Sequence, residues 1–473
     1  MNKRKGYYIM ASKQLDTVVI GAGPGGYVSA IRAAQRGQDV TIIESTWFGG
    51  TCLNVGCIPA KALITATEKF DEINNSLDTF GISVGNVELD WGKTQEFKDG
   101  VVNQMTSGVE FLLKKNKVNI IEGTATFKDS KTISVDVDGD VTDYAFNNAI
   151  IAVGGHPDNV DGFELGGRVI DTTAALNIES APESVVVINA GFVAVQLAQV
   201  LSRIGVKVTV LQKDSQILPD FDKDQIRLVT KRLEELNGEV ITGVEYVGAE
   251  ESDDSITVNY KVKGEEKSVT ATYALLTGNR KPSTANLGVE AAGIELGEEG
   301  HIIVNEKGQT NVEGVYAIGD VTPGQPLAHR ASHEGKRVAE IIAGDDITVE
   351  SDSIQTVAVT DPEVATVGHN KSSAKDAGIS AKATKFSYGA NGRAVSMDGA
   401  EGFVRIVTDK DTNTVIGGQA VGLGADFLIS ELALAVDNEL SAEDLALTIH
   451  AHPTLSEMVM DAAESALGQG IHG

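Results

Sequence analysis

Shifted by 168 residues and laid on itself, the chain repeats one pattern of apolar and polar positions without a gap. VVIGAGPGGYVSAIRAAQRGQDVTIIE at 18–44 falls on VVINAGFVAVQLAQVLSRIGVKVTVLQ at 186–212. Each copy begins with a β-branched run that predicts a short strand. A glycine turn leads into the 3.6-residue period of an amphipathic helix, and after a second glycine, Gly37 or Gly205, the chain returns to strand. Strand, helix and strand in that order open a nucleotide-binding sheet. Strand-rich sequence then fills about 240–277, and VYAIGD predicts a strand ending at Gly319 and Asp320. From about 348 onward, strands such as GFVRIVTD and VIGGQAVG mix with a helix at DFLISELALAV. There is no second repeat and no low-complexity linker, so four compact regions in series are expected.

Length agrees with several regions, because single cores stop growing near ~250–300 residues and this chain has 473. Acidic residues outnumber basic ones, 67 to 39, for a formal charge of −28, which repels nucleic acid and anionic lipid and suits a basic protein partner. No apolar run reaches the ~18 residues of a spanning helix, since even FLISELALAV is broken by Glu431. The opening MNKRKGYYIM has a basic start, but Lys13 and Asp16 arrive before any apolar stretch, so it is read as a tail and not a signal peptide. Scarce cysteine speaks against a secreted disulfide scaffold, and a cytoplasmic protein is expected.

The chemistry of the first repeat is legible residue by residue. Gly21 makes the tight turn, Gly23 lets the backbone approach a pyrophosphate, and Gly26 lets helix pack on strand. Glu44, about 20 residues on, suits a ribose hydroxyl. A dinucleotide is therefore expected here.

The only two cysteines lie just downstream, Cys52 and Cys57 in GGTCLNVGCIPAK. A bond closing so short a loop contributes little stability. A metal needs more ligands, and no histidine precedes His156. On a regular helix the two side chains would face apart, so Gly56 and its neighbours must distort the backbone for the sulfurs to meet. Pro59 favours a helix starting close to Cys57, and a helix N-terminus supports a reactive thiolate. A redox pair is the expected use.

These segments, with YAIGDVTPGQPLAHRASHEGK, TDPEVATVG and HAHPTLSE, resemble the flavin-dependent pyridine nucleotide-disulfide oxidoreductases from about Leu15 to the end, and most closely the branch that oxidises dihydrolipoamide. The resemblance implies an α/β architecture with two Rossmann-like nucleotide-binding domains: residues 15–150 for FAD and 151–279 for NAD, following a flexible tail at 1–14. A central domain at 280–347 would complete the FAD site through Asp320, and an α+β domain at 348–473 would form a homodimer. It further implies that Cys57 faces the flavin while Cys52 exchanges with lipoamide. His452 would be the base, contributed across the dimer and oriented by Glu457. Thr51, Lys61, Ala125, Gly319, Ala328 and His329 fall at flavin-side positions. The implied partners are lipoyl domains and the acyltransferase core of a 2-oxo acid dehydrogenase complex.

The second repeat departs from the family pattern. Asn189 replaces the first glycine, while Gly191 remains and Ala194 is an accepted third position. Gln212 stands where Glu44 stands in the first copy, and Lys213 follows it. Gln196 replaces a glutamate that pairs with Lys61 in the family, Gly154 lies in an altered AVGGHP, and Asn279 replaces a glycine before Arg280. Loss of the ribose acid predicts a weak preference for NAD, with NADP possible, and predicts that Gln212→Glu strengthens it. An NADPH-dependent disulfide reductase of the glutathione reductase type and a non-catalytic flavoprotein subunit are the competing readings. HAHPTLSE and GCIPAK oppose the former. The presence of Cys52, Cys57, His452 and Glu457 opposes the latter.

Overall fold

A computed structural model describes residues 13–278, 280–351 and 353–472. Most of the tail expected at 1–14 lies outside them, as does Asn279, while Lys13 and Gln14 already belong to the first strand. The chain forms two compact units. One is built from residues up to 58, 101–158 and 280–350, the other from 59–100, 159–278 and 351 onward.

The first unit holds a seven-stranded sheet in the order Asn119–Glu122, Val40–Glu44, Lys13–Ile20, Asp140–Ile151, Thr132–Val137, Thr124–Asp129, with Val315–Ala317 also on Asp140–Ile151. The first four and Val315–Ala317 run parallel, whereas the hairpin 124–137 adds antiparallel. Both faces are covered, so the central strands read as continuous apolar runs. Val18 and Ile20 enter one core with Ile43 and Ile151, while Val19 enters the other with Ile42 and Ile150. The helix Pro24–Gln35 returns over this sheet and crosses the helix Ala328–Ile342 so closely that a Cβ on Gly335 would lie 2.6 Å from the Gly25 carbonyl oxygen.

The second unit repeats the idea with five parallel strands ordered Glu239–Thr242, Lys207–Gln212, Ser184–Ile188, Tyr273–Leu276, Val169–Ile170, flanked by an antiparallel three-stranded sheet over 244–271. Its helix Phe192–Arg203 is buried on every position from Ala194 onward, where the sequence pattern predicts an amphipathic helix. Two of its polar residues bond to other parts of the unit. Gln199 donates to the Asp361 carbonyl at 2.7 Å and accepts from its amide at 2.8 Å, and Arg203 pairs with Glu68 and Asp361. A third sheet, antiparallel throughout, runs Thr356–Ala358, Val364–Gly368, Val415–Val421, Phe403–Asp409, Ala381–Ser387, with the helices Ala425–Asp437 and Glu457–Ala466 sharing its core. Among the described residues no helix is long and apolar enough to cross a membrane.

Candidate active site

The first glycine turn is held by contacts that no side chain fits. Gly21 has φ +98°, and a Cβ there would lie 2.5 Å from the Ala152 carbonyl oxygen; one on Gly26 would lie 1.9 Å from that of Gly21. Gly23 caps the helix Pro24–Gln35, and its Cβ position is open, with Gly50 Cα nearest at 4.0 Å. That opening at a helix N-terminus is a cradle for a phosphate. Glu44 ends the next strand and braces the turn: its Oε2 accepts from the Ala22 amide at 2.6 Å and its Oε1 from those of Thr46 and Trp47 at 2.8 and 3.3 Å. Turn, cradle and strand-end acid together fit a dinucleotide such as FAD.

The cysteines are stitched to this turn. The Gly49 amide donates to the Ala22 carbonyl at 2.8 Å, and a Cβ on Gly50 would meet Gly23 Cα at 2.6 Å. Cys52 lies on the short helix Gly50–Val55, Gly56 breaks it at φ −145°, ψ −108°, and Cys57 begins the helix Cys57–Asn75. The break brings the two Cα atoms to 4.7 Å, and the sulfurs form a disulfide. Both cysteines are half-buried, and Thr51 beside them is exposed.

Asp320 lies just after the strand Val315–Ala317, at the positive-φ turn of Gly319. Its Oδ2 accepts from Arg280 Nε at 3.0 Å, and the same guanidinium donates to the Gly155 carbonyl. Arg280, expected among the altered nicotinamide positions, is thus bound to the flavin-side acid. Gly154 accepts from the Ser283 amide at 3.0 Å in the adjoining strand pair. Ala125 is buried in the hairpin core, and Ala328 and the exposed His329 open the helix Ala328–Ile342. The sequence reading missed the supports of this turn. The Gly319 amide donates to Glu334 Oε2 at 2.7 Å, and Arg330 pairs with Glu334 at 2.7 Å while donating to Thr322 and Pro323. Burial raises the Glu334 carboxyl, and Arg330 opposes it. The i,i+4 spacing in RASHE was the available signal.

In the second unit Lys61 Nζ donates to Gln196 Oε1 at 3.1 Å, and Gln196 Nε2, buried, has no partner among the described residues. Burial pushes the Lys61 ammonium down to about 8. Asn189 occupies the turn at φ +67°, with the Tyr246 hydroxyl 2.9 Å from its Oδ1 and 3.1 Å from its amide. Gly191 caps the following helix with open space at its Cβ position, and Ala194 is fully buried. Gln212 Oε1 accepts from the Ala190 amide at 2.8 Å and its Nε2 donates to Asp214 Oδ2 at 2.7 Å, while Lys213 between them is exposed.

His452 and Glu457 meet at the end of the chain, Nδ1 to Oε1 at 2.9 Å, and Glu457 Oε2 accepts from the Thr454 amide at 2.8 Å. Desolvation works to raise the Glu457 carboxyl, but the Thr454 amide and His452 outweigh it and hold the group below its usual range. An ionised Glu457 makes His452 Nδ1 the donor, which leaves the lone pair on Nε2 of a side chain 82% exposed. His450, by contrast, has a buried side chain, its two nitrogens 2.8 Å from Glu431 and from the Thr448 carbonyl.

A cysteine disulfide beside one dinucleotide turn, a second such turn, and a separate histidine–glutamate pair are the parts of a thiol–disulfide flavoenzyme. Residues 15–335 match the model of the pyridine nucleotide-disulphide oxidoreductases, and 354–463 match the dimerisation domain of the same enzymes. The chain belongs to this family. Curated relatives include dihydrolipoyl dehydrogenases of Staphylococcus aureus, 47% identical over 97% of this chain and 98% of theirs, and of Geobacillus stearothermophilus, 46% identical over 97% of each. One from Haloferax volcanii is 41% identical over 97% of both chains. Among solved structures, LpdA from Mycobacterium tuberculosis has the same fold at a TM-score of 0.88 and 24% identity, over 96% of this chain and 99% of that one.

Proposed function

We propose that this chain oxidises dihydrolipoyl groups, carrying their electrons through the Cys52–Cys57 disulfide and FAD to NAD. The observation that carries the reading is the disulfide built at the start of a helix and tied by Gly49 and Gly50 to the dinucleotide turn. One thiol of the dithiol substrate gives its proton to His452 Nε2 and attacks Cys52 Sγ. The Cys52–Cys57 bond breaks, and Cys57 leaves as a thiolate at the helix N-terminus, where partial positive charge favours it. The second substrate thiol then attacks the mixed disulfide and passes its proton to the departing Cys52, which closes the cyclic lipoyl disulfide and leaves Cys52 a thiol, Cys57 a thiolate and the first proton on His452. The Gly21–Gly26 turn, Glu44 and Asp320 would hold FAD, which when bound would supply the two-electron acceptor for the resulting dithiol and the route to NAD. Glu457 holds the neutral His452 ring in the tautomer with its lone pair on Nε2 and stabilises the imidazolium once that nitrogen is protonated.

His452 of the partner subunit would serve the disulfide of this one. The domain matched at 354–463 supports a dimer, and so does its exposed apolar surface at Phe427, Leu434 and Ile449. The regions 15–150, 151–279, 280–347 and 348–473 would divide the labour as FAD, NAD, central and dimerisation domains. Within a cytoplasmic 2-oxo acid dehydrogenase complex, the lipoyl domain of the acyltransferase would be the partner.

The test is turnover of dihydrolipoamide with NAD by the FAD-loaded protein. Cys52→Ser and Cys57→Ser are expected to abolish it while retaining FAD, and His452→Gln to lower it by roughly 10²–10⁴-fold. Wild-type turnover by either cysteine variant would sink the redox-pair reading.

A further inference from the structure

The two repeats make one hydrogen bond in common and differ in what lies behind it. In both, the strand-end side chain accepts from the backbone amide of the residue after the first turn position: Glu44 from Ala22 at 2.6 Å, Gln212 from Ala190 at 2.8 Å. Glutamine therefore does the glutamate's inward work. Its second terminal atom, however, is a donor, and a donor cannot accept a ribose hydroxyl. That atom is spent on Asp214 Oδ2, 2.7 Å away.

We propose that Asp214 replaces the missing acid and selects NAD over NADP at this turn, with Gln212 acting as its positioning residue. The inference rests on the reading of this repeat as the nicotinamide dinucleotide site. Gln212 is only 3% exposed, whereas Asp214 is exposed, so the pair relays the charge from the buried strand end to the surface where a ligand arrives. The Asp214 main chain is also fixed, because its carbonyl accepts from the Gly243 amide at 2.9 Å. With Oδ2 engaged by the amide of Gln212, Oδ1 is oriented to accept from the 2′-hydroxyl of an adenosine ribose. A 2′-phosphate in the same place meets a carboxylate that cannot swing away without breaking the bond to Gln212. Lys213 attracts that phosphate, but it is exposed, and an exposed lysine is screened by solvent and loses side-chain entropy when it is held in one geometry. The fixed charge decides.

The experiment is calorimetric titration of the FAD-loaded chain with ADP-ribose and with 2′-phospho-ADP-ribose, accompanied by kcat/KM for NADH and NADPH. The wild type is expected to bind ADP-ribose at least about tenfold more tightly, the usual difference between an ionised and a neutral acceptor. Asp214→Asn should remove about tenfold of that ratio, Asp214→Glu should retain part of it, and Gln212→Glu added to Asp214→Asn should restore it by returning the acid to the strand end. A ratio unchanged within about twofold in Asp214→Asn, with NAD still preferred, overturns the role of Asp214 and leaves the dinucleotide site standing. A wild type that prefers the 2′-phosphate overturns the proposal directly. Failure of the wild type to bind either probe overturns both readings.

Discussion

The two dinucleotide turns follow the same backbone path with different tolerance for side chains. In the first, a methyl group at Gly26 has no room, at 1.9 Å from the Gly21 oxygen; in the second, Ala194 carries that methyl group in a fully buried site. Gly21 at φ +98° is matched by Asn189 at φ +67°, a conformation asparagine tolerates better than most residues and which the Tyr246 hydroxyl braces here. The acid that Glu44 provides from the strand itself is provided in the second turn from two residues beyond it. A fingerprint is thus a set of jobs, and a residue type can change where another group takes the job over.

The sharpest break in this comparison is to exchange the third positions. Gly26→Ala is expected to destabilise the first unit by roughly 3 kcal/mol and to release FAD, because helix and strand must separate to admit the methyl group. Ala194→Gly should cost only about 1–2 kcal/mol, from helix propensity and a small void. Thermal melts and the flavin retained after gel filtration measure both. Equal effects would show that the two turns are packed alike.

A smaller exchange is Glu44→Gln, which writes the second strand end into the first. The single amide oxygen can serve Ala22 or the Thr46 and Trp47 amides, not all three, and no acid stands at Thr46 to recover the charge. A loss of about 1.5–3 kcal/mol, or at least tenfold in FAD affinity, is expected by equilibrium dialysis. Unaltered FAD affinity would mean that Glu44 braces the turn without touching the ligand.

The repeat, the cysteine pair and the histidine–glutamate spacing were legible because each depends on residues close in sequence or on a period. What sequence did not disclose are contacts closed by the fold. Arg280 reaches Asp320 across 40 residues and the Gly155 carbonyl across 125, so its neighbours in the chain say nothing of its partners. Asp214 was passed over for a different reason: one-to-one alignment of the copies directs attention to Gln212, and only side-chain geometry shows the charge two positions further on. On that geometry, Gln212→Glu alone should change the NAD preference little, contrary to the expectation drawn from the strand-end position.

The second repeat's helix also differs in what it offers its surroundings. Val28 in the first copy corresponds to Gln196, which gives Lys61 a neutral acceptor and whose own amide has no partner among the described residues. With a folded pKa of about 8 against an unfolded value of about 10.4, Lys61 binds fewer protons in the native state over that range, so its contribution makes stability rise with pH from about 8 to 10.4. Gln196→Glu places a charge against the ammonium and should raise its pKa by about 1–3 pH units, flattening that rise. Melting curves of both proteins between pH 7 and 10 give the comparison. Parallel pH profiles would show that Lys61 does not titrate there.

The mildest change concerns how the second turn holds its left-handed residue. Asn189→Gly removes the backbone cost of φ +67° but also the 2.9 Å contact to Tyr246, two effects of similar size and opposite sign, so stability should move by no more than about 0.5 kcal/mol. Tyr246→Phe deserts Asn189 Oδ1 and removes the hydroxyl's 2.8 Å contact with the Leu211 carbonyl, with no backbone gain in return, and should cost about 1–2 kcal/mol. Half-buried as it is, burial pushes the Tyr246 hydroxyl up to about 12, so the phenol stays protonated and the brace persists through neutral and mildly alkaline pH. In the Asn189→Gly background the same tyrosine substitution has less to lose, and urea titrations of the four proteins should give a coupling of about 0.5–1 kcal/mol. Additive effects would mean that asparagine holds this turn by its own backbone preference and that the tyrosine is only packed against it.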